Sequence, residues 1–190
     1  MYNVKCGKRR GKEADVAGET EKRKERRPAV EIYSDGACKG NPGAGGYGTI
    51  LRCWGKTKEL SEGFEMTTNN RMELLGAIAG LEALKRPCDV TLTSDSKYLV
   101  DGMTKGWVQN WKKHDWKKAD RKQALNVDLW ERLLDLCEVH DVKFVWIKGH
   151  AGHEFNERCD ELAVAAAEEK QKEQKEEQQG AAETRQTENT

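Results

Sequence analysis

The sequence lacks a long hydrophobic run and an apolar stretch at its N-terminus. None of its 190 residues falls in an apolar run of 18 or more, which excludes a hydrophobic segment that could cross a membrane as a helix. The N-terminal residues MYNVKCGKRRGKE do not resemble a signal peptide, and Glu13, Asp15 and Glu19 argue against a mitochondrial transit peptide. These absences predict a cytoplasmic protein with no membrane partner.

The sequence also lacks a C-x-x-C pair and a Cys/His cluster at the spacing of a zinc site. Its six cysteines are scattered along the chain. Without a secretory signal, they are expected to be reduced thiols that serve as small apolar side chains. The pattern therefore argues against structural zinc.

The sequence has no net charge, because 33 Lys and Arg balance 33 Asp and Glu. These charges are nevertheless unevenly distributed along the chain. Residues 1–27 carry ten basic and five acidic side chains, which predicts a disordered basic arm. Residues 168–190 carry seven acidic and four basic side chains, which predicts a disordered tail that is helical at most in its first turns. Residues 28–167 are left as a single domain of ordinary size.

The hydrophobic pattern of this domain predicts an α/β fold. Strands are predicted over residues 29–34, 47–54, 58–66, 90–93 and 142–147, and helices over residues 71–84, 96–103, 127–139 and 156–167. The turn-forming run DGACKGNPGAGG separates the first two strands and is better interpreted as a hairpin turn than as a nucleotide-binding loop. Three strands followed by alternating helices and strands predict a mixed sheet with helices packed on it.

Four acidic residues lie in apolar neighbourhoods of the predicted fold. Asp35 and Asp95 end two strands, Glu73 lies in the first turn of the helix between them, and Asp160 lies in the last helix. Carboxylates at the ends of adjacent strands would meet in one crevice, and their mutual repulsion calls for a cation. Oxygen ligands without Cys or His suit Mg²⁺ or Mn²⁺. An acid taken alone is more often a cap, a turn residue or a surface charge than a metal ligand, so the four residues by themselves leave a metal site open.

One basic stretch interrupts the charge balance of the domain. Residues 105–122 contain seven Lys and Arg against two Asp, with three tryptophans interleaved. The tryptophans fit core packing, a nucleic-acid groove, or both. The lysines at positions 112, 113, 117 and 118 are expected to contact phosphates, which would make binding strongly dependent on salt.

Four motifs in the same chain resemble those of type 1 ribonuclease H in its bacterial-type form. They are YSDGACKGNPG from Tyr33, TTNNRME from Thr67, TSDSKY from Thr93 and GHAGHEFNERCDELA from Gly149. The resemblance covers residues 28–167. It implies a ribonuclease H-like fold, with a five-stranded mixed sheet flanked by helices. It further implies an endonuclease that hydrolyses the RNA strand of RNA–DNA hybrids with two divalent metal ions, weak sequence preference and 5′-phosphate products.

The resemblance also assigns roles to individual residues. It implies that two Mg²⁺ ions, or Mn²⁺, are held by Asp35, Glu73, Asp95 and Asp160, and that His150 assists the proton and product steps. The implied contacts to the hybrid are Asn41, Thr68, Asn69, Asn70, Trp107, Trp111, Lys112, Lys113, Trp116, Lys117, Lys118 and Asn126, with Thr68 and Asn126 at a DNA phosphate. No obligate protein partner is implied, and a monomer is expected.

Two departures from the family pattern and two alternative functions remain open at this point. Gly106 resembles one extra residue before Trp107, and Glu154 stands where a proline is common in the family, which bears on the conformation of the loop around His150. One alternative is a nuclease of the same fold that cuts DNA, against which the TTNNRME motif and the basic stretch argue. The other is a hybrid-binding module without activity, against which the four acids and His150 argue.

Overall fold

The computed structural model describes residues 27–188, which form a mixed five-stranded sheet flanked by helices. The strands are β1 (Ala29–Gly40), β2 (Gly43–Cys53), β3 (Lys56–Thr67), β4 (Asp89–Ser94) and β5 (Asp141–Trp146). The helices are α1 (Asn69–Glu82), α2 (Lys97–Thr104), α3 (Trp107–Lys113), α4 (Val127–Val139) and α5 (Glu154–Glu188). The strand order is β3-β2-β1-β4-β5, with β1, β2 and β3 antiparallel and β4 and β5 parallel to β1. The predicted mixed sheet is thereby confirmed.

Helices cover both faces of the sheet because successive side chains of β1 point to opposite sides. Ile32 is fully buried in the larger core cluster, together with Leu74 of α1 and Trp130 of α4. Tyr33 belongs to a second cluster, with Ile50 of β2 and Cys159 of α5. The site described below lies where the parallel pairing of β1 with β4 ends, between these two layers.

The hairpin of β1 and β2 is longer than the sequence predicts. The run DGACKGNPGAGG is interpreted above as a turn, but the ladder continues to the pair Gly40 and Gly43, which leaves only Asn41 and Pro42 at the tip. Several of its glycines serve helix packing instead of turning the chain. A Cβ on Gly46 would lie 2.7 Å from Ala166 Cβ of α5. Glycine is therefore needed at this position because α5 packs closely against β2.

Helix α5 continues through the segment that is predicted above to be a disordered tail. The structure has helix to Glu188, which differs from the expectation of helix only in the first turns of residues 168–190. Lys170 forms an ion pair with Glu173 at 2.7 Å, and Gln174 Nε2 donates to the backbone oxygen of Glu65 in β3 at 2.7 Å. Pairs three or four residues apart support a charged helix, and the composition argument does not take them into account.

Two further expectations concern the ends of the chain and membranes. Residues 1–26, which make up nearly all of the predicted basic arm, lie outside the described residues. Among the residues that are described, no helix combines the length and the apolar character needed to cross a bilayer. The division of the chain into arm, domain and tail remains a prediction.

Candidate active site

Three of the four predicted metal-binding acids meet at one edge of the sheet. Tyr33 of β1 pairs in parallel with Thr93 of β4, so Asp35 and Asp95, two residues further along, reach the same edge. Glu73 arrives from the first turns of α1. Ligand oxygens of Asp35, Glu73 and Asp95 all lie within 4.8 Å of one another. We call these three residues the carboxylate cluster.

A glycine beside Asp35 allows α1 to bring Glu73 into the carboxylate cluster. A Cβ built on Gly36 would lie 2.5 Å from the backbone nitrogen of Glu73 and 2.7 Å from the carbonyl carbon of Met72. Real side chains do not tolerate such distances to backbone, so the start of α1 could not pack against β1 with any larger residue here. Gly36 therefore fixes the position of Glu73 relative to Asp35.

The substitution Gly36→Ala tests this packing. We expect it to lower cleavage activity at least about tenfold and to destabilise the fold by about 1–3 kcal/mol, because the first turn of α1 must move away from β1. Activity and urea unfolding are measured together. Gly180→Ala is the matched control, since a Cβ there meets nothing within 4 Å. Equal behaviour of the two variants would contradict the positioning role.

Burial and mutual repulsion favour the protonated forms of two members of the carboxylate cluster. Only 7% of Asp35 and 6% of Glu73 is exposed. Burial, followed by the charge of Asp95, raises the pKa of Asp35 to about 7, against an opposing hydrogen bond from the Gly36 amide. The pKa of Glu73 is raised well above its usual value by burial first and then by the charges of Asp35 and Asp95. The site is therefore poorly suited to three carboxylates without a counter-charge.

The hydrogen bonds of the carboxylate cluster leave room for a cation. Asp35 Oδ1 accepts from the Gly36 amide at 2.7 Å, and Glu73 Oε1 accepts from Asn69 Nδ2 at 3.3 Å. Glu73 Oε2 is buried and has no hydrogen-bond partner. Among residues 27–180, no Lys, Arg or His forms an ion pair with a member of the cluster. A buried anionic oxygen without a partner is costly, so the donor set fits a divalent cation.

The other two predicted catalytic residues lie close to the cluster but outside it. Asp160, in α5, is not one of the three residues whose ligand atoms converge, yet its charge contributes to the raised pKa of both Asp35 and Glu73. His150 is exposed in the loop between β5 and α5, with φ 50°. The preceding Gly149 packs so closely on the Asp95 carboxylate that a Cβ would overlap its Oδ2. The loop carrying His150 therefore lies beside Asp95.

Sequence reasoning missed Asn156, a buried neighbour of the carboxylate cluster. Asn156 Nδ2 donates to Asp95 Oδ2 at 3.4 Å, while its own Oδ1 is buried without a partner. Asn156 precedes Asp160 by four residues, so both lie on one face of α5. The four-residue spacing from Asp160 is therefore the sequence signal that could have identified Asn156 as a residue of the site. Trp146 was missed as well, and its Nε1 donates to the Asp95 backbone oxygen at 2.9 Å.

The predicted hybrid contacts at the start of α1 are linked to the hairpin tip. The backbone N–H of Asn69 donates to Asn41 Oδ1 at 3.3 Å, and this hydrogen bond joins α1 to the tip of the β1–β2 hairpin. Thr68 is the N-cap residue of α1, but its side chain makes no capping hydrogen bond. Asn70 is exposed. The structure thus brings Asn41, Thr68, Asn69 and Asn70 to one surface beside Glu73.

Asn126, which precedes α4, is connected to this surface by a hydrogen bond with Arg71 of α1. Asn126 Oδ1 accepts from Arg71 Nη1 at 3.4 Å, and its Nδ2 donates to the Tyr98 hydroxyl at 3.2 Å. Arg71 also binds Asp128 with two hydrogen bonds of 3.0 and 2.7 Å. Asn126 has φ 58°, a left-handed conformation that asparagine tolerates better than most residues. The backbone therefore presents the Asn126 amide together with a guanidinium near Thr68.

The three tryptophans of the basic stretch divide between surface and core. Trp107 is 42% exposed, whereas Trp111 is half-buried and meets Trp130 edge to face at a centroid distance of 6.4 Å. Trp116 is only 9% exposed, and its Nε1 donates to Glu131 at 3.0 Å. The ring of Trp116 therefore packs in the core, and its contact with a hybrid stays a prediction.

The basic side chains of the stretch stay at the surface. Lys112, Lys113 and Lys117 are exposed and Lys118 is half-exposed. Lys113, Lys117 and Lys118 line an open cleft of about 500 Å³ together with Arg121. This cluster of positive charge is the electrostatic pattern expected of a surface that binds phosphates.

Both departures from the family pattern have a structural role. Gly106 is the N-cap of α3 with φ 71°, a left-handed conformation that glycine adopts without strain. Glu154 is the first residue of α5, where a proline is well tolerated and an acidic residue interacts favourably with the helix dipole. Neither residue belongs to the carboxylate cluster.

Comparison with known proteins agrees with this fold. The family model described as RNase H matches residues 27–168. The ribonuclease H of Proteus mirabilis (strain HI4320) is 63% identical over 139 residues, which cover 73% of this chain and 87% of that protein. Among solved structures, LC9-RNase H1, described as a type 1 RNase H with the type 2 active-site motif, has a TM-score of 0.68 and 34% identity, covering 76% of this chain and 74% of its own.

A second solved structure carries a nucleic acid. LC11-RNase H1, in complex with an RNA/DNA hybrid, has a TM-score of 0.57 and 27% identity, covering 74% of this chain and 97% of its own. The family model matches most of the chain, and the Proteus protein is similar over nearly all of its own length. The chain therefore belongs to the RNase H family.

Proposed function

We propose that the chain is an endonuclease that hydrolyses the RNA strand of RNA–DNA hybrids with two divalent metal ions, Mg²⁺ in the first place. The observation that carries the proposal is the carboxylate cluster, in which ligand oxygens of Asp35, Glu73 and Asp95 lie within 4.8 Å. Membership of the RNase H family and the hybrid bound by LC11-RNase H1 support the choice of substrate.

In the proposed mechanism, four carboxylates would hold the metal ions. Asp35 would serve both ions, Glu73 and Asp95 would serve the side of the attacking water, and Asp160 the side of the leaving group. When bound, such ions supply an activated water and neutralise charge on the phosphate. The buried, partnerless Oε2 of Glu73 supports this assignment, because a cation would satisfy it.

The protein's own residues would position the substrate and manage its protons. Asn69 holds Glu73 Oε1 in place, and Asn156 holds Asp95 Oδ2. His150, exposed beside Asp95, would assist proton transfer and product departure. Its exposure suits a group that must reach both the substrate and bulk water.

Selection of a hybrid would require two tests, one on each strand. The RNA strand offers a 2′-hydroxyl that both donates and accepts, so Asn41 and Glu73 could distinguish the strand to be cut. The DNA strand would place a phosphate at Thr68 and Asn126, where the Arg71 guanidinium is 3.4 Å from Asn126 Oδ1. Contacts to sugar and phosphate carry little base information, so we expect weak sequence preference.

A cleavage assay on four substrates tests this function. End-labelled RNA is offered as RNA–DNA hybrid, RNA duplex and single strand, alongside labelled DNA duplex, each with Mg²⁺, Mn²⁺ or EDTA. We expect cutting of RNA in the hybrid alone, only with a divalent ion, and products with 5′-phosphates. Cutting of the DNA duplex would support the DNA-nuclease alternative, and tight hybrid binding without cutting would support a binding module.

The proposal includes the molecular state of the protein. We propose a monomer that acts on its hybrid without an obligate protein partner, in a cytoplasmic setting. The carboxylate cluster is built entirely from one chain, which supports this view. Light scattering of the free protein and of its complex with one hybrid measures the stoichiometry.

A further inference from the structure

Lys39 places an isolated positive charge next to the tip of the β1–β2 hairpin. It is the one charged residue in the sequence between Asp35 and Arg52. It pairs with Ala44 in the ladder, one pair before Gly40 and Gly43 and the two-residue tip. Its Nζ forms an ion pair of 2.8 Å with Glu168 Oε1 of α5.

The hairpin tip is connected to the carboxylate cluster by hydrogen bonds. Asn41 Oδ1 accepts from the backbone N–H of Asn69 at 3.3 Å, and the side-chain Nδ2 of Asn69 donates to Glu73 Oε1 at 3.3 Å. A hybrid whose cut phosphate lies at Glu73 must therefore pass this tip, where Lys39 offers the only positive charge among residues 36–51. The ammonium of Lys39 is then the charged group at this tip that can meet a backbone phosphate.

We infer that Lys39 binds a phosphate of the hybrid and that Glu168 competes for it, an inference that rests on the proposed function. The Lys39 side chain is 34% exposed and the Glu168 side chain 60% exposed. An exposed ion pair contributes little stability and is weakened by salt, so a phosphate can replace the carboxylate. The displaced Glu168 then lies as an unpaired negative charge beside the hybrid. Helix α5, beyond the predicted domain boundary at residue 167, thus lowers hybrid affinity.

A double-mutant cycle at these two residues tests the inference. All chains are full length and carry Asp35→Asn so that a labelled hybrid stays intact, and affinity is measured in Mg²⁺ over a range of salt concentrations. We expect Glu168→Gln to tighten binding roughly three- to tenfold at low salt, because binding no longer leaves an unpaired carboxylate beside the hybrid. The plot of log affinity against log salt should steepen by at most about 0.9, the value for one charge, since that carboxylate no longer attracts a cation when the hybrid binds. Lys39→Gln in the Glu168→Gln background should remove both effects.

Glu173→Gln is the matched control for net charge. Glu173 lies on the same helix and is paired with Lys170 at 2.7 Å, so the substitution changes the total charge equally but leaves Lys39 untouched. We expect it to change affinity less than about twofold. An equal gain from Glu173→Gln, or a gain from Glu168→Gln that survives the loss of Lys39, would overturn the inference.

Failure of the inference on Lys39 and Glu168 can be distinguished from failure of the proposed function. A chain with native Asp35 that cuts hybrids while the cycle shows no coupling would overturn only the role of Lys39 and Glu168. A chain with native Asp35 that neither binds nor cuts hybrids would overturn the proposed function, and the inference with it. Coupling in a chain that binds hybrids without cutting them would support the inference and overturn the proposed activity.

Discussion

Replacement of Asp35 by Asn is expected to reduce hybrid cleavage at least about 10³-fold while hybrid affinity changes by only a few fold. Asp35 is a buried member of the carboxylate cluster, and in the proposed mechanism its charge would serve both metal ions. Asparagine keeps the acceptor for the Gly36 amide, which Asp35 Oδ1 receives at 2.7 Å, and so preserves the local fold. The phosphate contacts predicted for the exposed Lys112, Lys113 and Lys117 would remain available, which is why binding should survive.

Single-turnover cleavage and equilibrium binding of the same hybrid measure the two effects separately. Asp135→Asn, an exposed position in α4, is the control for removal of one carboxylate charge, and we expect it to cleave at the rate of the unmodified chain. Cleavage that persists in Asp35→Asn would contradict the assignment of the site. Loss of binding together with cleavage would show that Asp35 supports the fold or the surface instead of the chemistry.

The metal-free protein is expected to lose stability as the pH rises from about 4 to about 7. The pKa of Asp35 is raised from 3.8 to about 7 in the folded chain, so the folded state retains a proton that the unfolded state has lost. The free energy of unfolding therefore falls with increasing pH across this window, by about 2–4 kcal/mol, and Glu73, whose pKa is also raised, acts with the same sign.

Urea unfolding in EDTA across this pH range, for the native chain and for Asp35→Asn, measures this effect. Asp35→Asn should be the more stable protein at pH 7 and should show a flatter pH dependence. His140, whose pKa is lowered by burial, acts in the opposite direction at low pH but is present in both chains. Addition of Mg²⁺ should stabilise the native chain above pH 7 and have less effect on the variant. Parallel pH curves for the two chains would contradict the electrostatic account.

Hydrophobic periodicity was sufficient to predict the fold because each core element keeps one pattern over its length. Ile32 and Leu92 lie in short apolar strands, and Leu129 and Leu133 recur at helical spacing, so these elements were predictable. The length of the β1–β2 hairpin was not, because glycines such as Gly46 are typical of turns and of close helix packing alike. The extension of α5 to Glu188 was not predictable either, because its stability depends on contacts such as the hydrogen bond between Gln174 and Glu65.

The candidate site was predictable in its acids but not in its supporting residues. Asp35 and Asp95 each lie two residues beyond the last pair of β1 with β4, where side chains of neighbouring parallel strands converge, and Glu73 lies in the helix between these strands in the sequence. Their degree of burial and the partnerless oxygen of Glu73 depend on packing that the sequence does not display. Trp116 shows the same limit, because a tryptophan among lysines has the same appearance in the sequence whether its ring is buried or exposed.

Calorimetric titration of the nucleic-acid-free protein with Mg²⁺ at pH 6, in buffers of different ionisation enthalpy, tests the central claim most directly. Because the pKa of Asp35 is raised to about 7, this carboxyl holds a proton at this pH, which a bound cation must displace, and the raised pKa of Glu73 acts in the same direction. We predict Mg²⁺ binding with release of about one proton or more per chain, and binding at least about tenfold weaker in Asp35→Asn. Binding without proton release, at an affinity unchanged by Asp35→Asn, would contradict a metal site at the carboxylate cluster.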